Sequence, residues 1–154
     1  MAILALRLAP NDIDLTKVLS MCLVHDLPEV IVGDLTPHDD TTNKAKLEHD
    51  AMKQLAPDWL ALFEEYEAGD SKEARFVKQI DKLDMGLQAI LYQNEQGLDL
   101  TEFLVSAKAK ISDADLLEIL EWIFRQGQKL VRVPLTTQPD SVGVHHGGFW
   151  SRRR

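Results

Sequence analysis

The densest chemistry in this 154-residue chain lies in His25-Asp26-Leu27-Pro28-Glu29-Val30-Ile31-Val32-Gly33-Asp34-Leu35-Thr36-Pro37, which sets one imidazole and three carboxylates within ten residues. An imidazole nitrogen and a carboxylate oxygen can serve one borderline or hard divalent cation together, and an adjacent His25-Asp26 pair at a helix break offers both. Glu29 lies three residues beyond Asp26. If a helical turn survives around Pro28, that spacing carries Glu29 to the same side, where it could deprotonate a water or hold a second ion. Far along the chain, Asp81 borders an apolar stripe; its carboxylate either pairs with Lys78 or Lys82 or points inward as a ligand. A histidine at a helix end also has an ordinary use as a cap or a hydrogen-bonded partner. The residues alone leave both uses open.

The elements that must position these groups read as helices. Apolar residues recur at three- and four-residue spacing almost throughout, and no run alternates with period two. Ile3, Leu4, Leu6 and Leu8 form the end of a helix that Pro10, Asn11 and Asp12 terminate. A second helix runs from about Asp14 to Asp26 on Leu15, Val18, Leu19, Cys22 and Leu23. Pro28 lacks an amide proton and its ring opposes the carbonyl of Val24, so a break is expected between His25 and Pro28. Gly33 to Asp40 reads as an irregular loop. Thr41 or Thr42 could cap a helix through Leu55, and Pro57 could open another through Tyr66. Asp70 and Glu73 have capping-box spacing before a long helix with Phe76, Ile80, Leu83, Leu87 and Ile90 on one stripe. Further helices are expected from about Asp99 to Lys110 and, capped by Ser112 with Asp115, through Leu116, Leu120 and Phe124. An all-α domain of about seven helices over residues 1–131 follows, with an irregular basic tail over 132–154.

Composition narrows the function. The chain has 17 Lys and Arg against 25 Asp and Glu, a net charge of −8. Gripping a nucleic-acid polymer through bulk positive charge is therefore disfavoured. The charge is uneven, since four arginines and one aspartate give +3 from Arg132 to Arg154 and leave −11 on the rest. A small anionic substrate needs a local device such as a metal ion, whose charge dominates the field around it. The single Cys22 forms no internal disulfide, so a reduced, cytoplasmic setting is expected. The apolar start, Met1 to Leu6, is too short to span a bilayer and lacks a basic flank, so no membrane partner is expected.

The run from His25 to Pro37, the later Glu73-Ala74-Arg75-Phe76-Val77-Lys78-Gln79-Ile80-Asp81-Lys82-Leu83-Asp84-Met85, and their separation together resemble the HD-domain metal-dependent phosphohydrolases, in their 5'-deoxynucleotidase branch. The similarity extends over about residues 1–125. It implies an HD-domain helical bundle and a divalent metal ion (cobalt, manganese, magnesium or zinc) held by His25, Asp26 and Asp81. It implies a role for Glu29 in catalysis or at a second metal position. It also implies contacts to that second metal or to substrate from Asp34, Leu35, Thr36 and Pro37, with Asp26 and Asp81 bordering the substrate. The implied substrate is a deoxyribonucleoside 5'-monophosphate, cleaved to deoxynucleoside and phosphate, and the implied assembly is a homodimer. A non-catalytic binding or scaffold module on the same fold is the alternative.

In one respect the sequence departs from that pattern. The family carries a further metal-binding histidine on a helix upstream of the segment matched by Met1 to Leu6, whereas no histidine precedes His25 here. A four-donor protein zinc site contributes roughly 10–16 kcal/mol, so one donor fewer costs on the order of 3 kcal/mol, about a hundredfold in affinity. Weak metal binding and low activity are therefore expected, with apolar surface at Val18, Leu19 or Ile90 left uncovered. His145 and His146, a glycine-flanked pair in the tail, read as surface rather than as replacements.

Overall fold

A computed structural model describes residues 1–33 and 42–131. Its elements are α1 (Ala2–Leu8), α2 (Leu15–Val24), a single turn α3 (Glu29–Val32), α4 (Lys44–Leu55), a 3-10 turn (Pro57–Trp59), α5 (Leu60–Ala68), α6 (Lys72–Gln96), α7 (Thr101–Lys110) and α8 (Ala114–Val131). Besides α3, seven helices have seven or more residues, and no strand occurs among the described residues. The domain is all-α. The expected tail, with His145 and His146, and the loop residues Asp34, Leu35, Thr36, Pro37 and Thr41 lie outside the described residues.

The long helix α6 is the axis of the bundle, touching α1, α2, α5, α7 and α8. Its buried positions Phe76, Val77, Ile80, Leu83, Gly86, Ala89 and Ile90 follow the three-and-four spacing that places them on one stripe. They pack with Ala5, Val18, Met21 and Cys22 from α1 and α2, Tyr66 from α5, and Leu104, Ala107, Leu116 and Leu120 from α7 and α8. A smaller apolar cluster of Val24, Met52 and Phe63, bordered by Leu27 and Leu60, fastens α4 and α5 to the end of α2. Together these clusters hold the end of α2 against the middle of α6.

Several local expectations are corrected. Val18 and Ile90 are buried and Leu19 is partly buried, so the surface expected to be bare is covered within the domain; α1 packs on α2 and α6. Asp70 and Glu73 do not form a capping box. Ser71 is the cap of α6, its hydroxyl accepting from the Ala74 amide at 3.1 Å, and Glu73 instead accepts from the Asp14 amide at 3.1 Å, joining α6 to the start of α2. Asp14 in turn caps α2 by accepting from the Lys17 amide at 3.0 Å. Asn43 rather than Thr41 or Thr42 occupies the cap position of α4, without a side-chain cap bond. Asp113, not Ser112, caps α8: its Oδ1 accepts from the amides of Asp115 and Leu116 at 3.0 and 3.1 Å. Ser112 is drawn away to Gln79 of α6, whose Oε1 accepts from the Ser112 amide and hydroxyl and the Asp113 amide at 2.8, 3.1 and 2.7 Å. Pro57 opens only the 3-10 turn, and α5 begins after it at Leu60.

Candidate metal and phosphate site

Helix α2 ends at Val24 because Pro28 has no amide to continue the ladder. The chain stays coiled. The Leu27 amide donates to the Val24 carbonyl at 3.1 Å and the Glu29 amide to the Asp26 carbonyl at 3.0 Å. These bonds span three residues, so the backbone from Val24 to Glu29 keeps a tight helical turn across the break. Pro28 itself is fully buried and pins the turn, leaving Glu29 as the first residue of α3 and half-buried.

His25 is the cap residue at the end of α2, and its side chain is 9% exposed. Nδ1–H donates to the Cys22 carbonyl at 3.1 Å. That bond leaves Nε2 as the outward nitrogen, the arrangement in which a histidine ligates a metal through one nitrogen while the other is fixed by a backbone acceptor. Nε2 is 2.8 Å from Asp26 Oδ2 and 4.0 Å from Asp81 Oδ1. Burial pushes the imidazole pKa down, but the hydrogen bond to Asp26 and the charges of Asp26 and Asp81 outweigh it, so the pKa is raised above its ordinary value.

Asp81 projects from the middle of α6 and divides its oxygens. Oδ1 faces His25, and Oδ2 accepts from Lys82 Nζ at 2.7 Å. The lysine pairing anticipated for Asp81 therefore occurs, with the other oxygen left on the side of His25. Of the two candidate lysines, Lys82 is the partner, and Lys78 turns to Glu67 at 3.9 Å and to the ring of Tyr66. The Asp26 side chain is 62% exposed and that of Asp81 26%, so the carboxylates open to solvent while the imidazole is walled in.

The donor set, one imidazole nitrogen and two carboxylates from separate elements, suits a divalent cation in chemistry. The donors bond to each other and to Lys82, and no group of three or more His, Cys, Asp or Glu stands as a preformed metal cage among the described residues. Asp34, Leu35, Thr36 and Pro37, expected to contribute from the following loop, lie outside those residues. Sequence reasoning missed Tyr66, whose ring stands edge-to-face with His25 at 5.6 Å between centroids and an interplanar angle of 75°. No local pattern signals that contact. Beyond this site, a groove between α4 and α5 is lined by Lys46, His49, Phe63, Glu64 and Glu67, with His49 Nε2 and Glu64 Oε1 2.7 Å apart.

Comparison with known proteins agrees with this architecture. The HD-domain family matches residues 1–120. The chain is 36% identical over 156 residues to the 5'-deoxynucleotidase HDDC2 of Danio rerio, covering 92% of this chain and 78% of the fish protein. It is 37% identical over 133 residues to the bovine 5'-deoxynucleotidase HDDC2, where it spans 64% of the relative's length and the match covers 78% of this chain. Among solved structures, the PH0347 protein of Pyrococcus horikoshii superposes with a TM-score of 0.68 at 35% identity, covering 84% of this chain and 78% of that one. The chain belongs to the HD-domain family, and its curated relatives are that family's 5'-deoxynucleotidases.

Proposed function

We propose that the chain is a metal-dependent 5'-deoxynucleotidase, a phosphomonoester hydrolase that cleaves deoxyribonucleoside 5'-monophosphates to deoxynucleoside and phosphate. The observation that carries the reading is the convergence of His25 Nε2 with carboxylates of both Asp26 and Asp81, at the solvent-open edge of a break between helices. The relatives' names support the substrate class. His25, Asp26 and Asp81 would hold a divalent cation (cobalt, manganese, magnesium or zinc), which when bound would supply the positive charge that an acidic protein needs to attract phosphate and the Lewis acidity that lowers the pKa of a water. Glu29, three residues beyond Asp26 at the start of α3, would take the proton from the water that attacks phosphorus. Asp34, Leu35, Thr36 and Pro37, a few residues further along the chain, are the residues to which the family resemblance would give contacts with substrate or a second ion.

Phosphate release from a panel of deoxyribonucleoside 5'-monophosphates with each cation tests the proposal. Glu29→Gln should lower kcat by about a hundredfold or more, the usual worth of a positioned base. Unchanged turnover in that variant removes Glu29 from the mechanism. A second reading, a non-catalytic binding module, draws on the absence of a preformed metal cage among the described residues. Its signature is a protein whose melting temperature ignores both metal and nucleotide.

The family resemblance supports a homodimer, which a single sedimenting species at twice the chain mass would bear out. The lone buried Cys22 agrees with a reducing, cytoplasmic setting. No helix among the described residues is long and apolar enough to cross a membrane.

A further inference from the structure

We propose that Tyr66 is the positioning residue for His25, with Lys78 clamping Tyr66 in turn; the inference rests on His25 being a metal ligand. A histidine ring is poorly fixed by its own torsions, because the terminal bond to a planar ring has a broad energy profile. The Cys22 carbonyl restrains one atom, Nδ1, at 3.1 Å. That contact selects Nε2 as the outward nitrogen; Nε2 also meets Asp26 Oδ2 at 2.8 Å, but that contact is the one a bound cation would replace, which leaves the ring plane free to swing about the Nδ1 bond. The plane is set by a second contact at the ring's flank, and here Tyr66 provides it at 5.6 Å and 75°, the edge-to-face geometry that aromatic pairs prefer.

Tyr66 is well suited to this. It is buried in the main core, which holds its ring in place against His25. Lys78 Nζ lies over its face, 4.6 Å from the centroid, and is tied to Glu67 at 3.9 Å. The stack therefore links α6 through Lys78 to α5 through Tyr66 and to the end of α2 through His25. It aims Nε2 at Asp26 and Asp81, the second of which also comes from α6.

The test compares Tyr66→Phe, Tyr66→Leu and Tyr66→Met by cobalt(II) titration, followed by calorimetry and by the visible spectrum of the bound ion. Removing an outer partner of a ligand typically weakens metal binding 10–100-fold. Tyr66→Leu should lose about tenfold or more in affinity and show an altered cobalt spectrum, and Tyr66→Met, which fills the space without a ring, should do the same. Tyr66→Phe should stay within about twofold, because the contact uses the ring and not the hydroxyl. Wild-type affinity in folded Tyr66→Leu or Tyr66→Met overturns the proposal, as does a Tyr66→Phe loss equal to theirs. If the wild type takes up no cobalt, the metal reading fails by itself. The positioning proposal is then decided on metal-free protein: His25 ring resonances should be sharp in wild type and Tyr66→Phe and broadened in Tyr66→Met. Equal linewidths in all three overturn it.

Discussion

Gly86 sits in the interior of α6, five positions past Asp81, where helix propensity alone would favour alanine by about 1 kcal/mol. The packing argues the other way. A Cβ built on Gly86 would stand 2.9 Å from Leu120 Cδ1 and 3.2 Å from Ala107 Cβ, well inside the roughly 3.5–4.0 Å of ordinary carbon contact. Leu120 and Ala107 are both fully buried, so the leucine has little room to turn aside and the alanine can yield only if α7 moves. Overpacking of this kind typically costs 1–3 kcal/mol, which exceeds the propensity gain and leaves Gly86→Ala destabilised by about 1 kcal/mol. The melting temperature should fall by about 2–4 °C for a chain of this size. Urea unfolding at unchanged slope measures it, and Leu120→Ala supplies the control. That variant costs about 2–5 kcal/mol by itself, but it removes the closest clash, so Gly86→Ala added to it should be neutral or stabilising by up to about 1 kcal/mol. A Gly86→Ala protein as stable as wild type, or the same loss in both backgrounds, would refute the claim that α6 meets α7 and α8 through this glycine.

Other outcomes follow from single contacts. Asp113→Ala should cost about 1 kcal/mol by denaturant titration, because the carboxylate accepts from two amides at the start of α8, while Ser112→Ala should stay within about 0.5 kcal/mol. The Glu73 carboxyl is held below its ordinary pKa of 4.5, first by the Asp14 amide. Its contribution is therefore complete above the unfolded pKa and lost as pH falls through the lower folded one. Stability followed from pH 6 to pH 2 should drop more steeply in wild type than in Glu73→Gln, and parallel curves would contradict this. Asp81→Asn should weaken cobalt(II) binding by about a hundredfold, on the order of 3 kcal/mol for one donor, in calorimetry. An unchanged affinity would remove Asp81 from the metal site.

Local chemistry is legible in the residues because it needs only neighbours in the chain. Period-3.6 spacing of Phe76, Ile80, Leu83 and Ile90 announces α6, and the missing amide of Pro28 announces the break after α2. Both depend on a few adjacent residues, as does the presence of an imidazole and a carboxylate at positions 25 and 26. Competition between equivalent partners is different. Whether Ser112 or Asp113 caps α8 was decided by Gln79, more than thirty residues away, and Glu73 left its own helix start because the Asp14 amide came within reach. Likewise the choice of Lys82 over Lys78 for Asp81, and the meeting of Tyr66 with His25, required α2, α5 and α6 to be packed first. The sequence by itself determined the helices, the break and the donor types. Only the tertiary structure decided which donors face one another, since hydrogen bonds and ring contacts act over a few ångströms and depend on where distant helices cross.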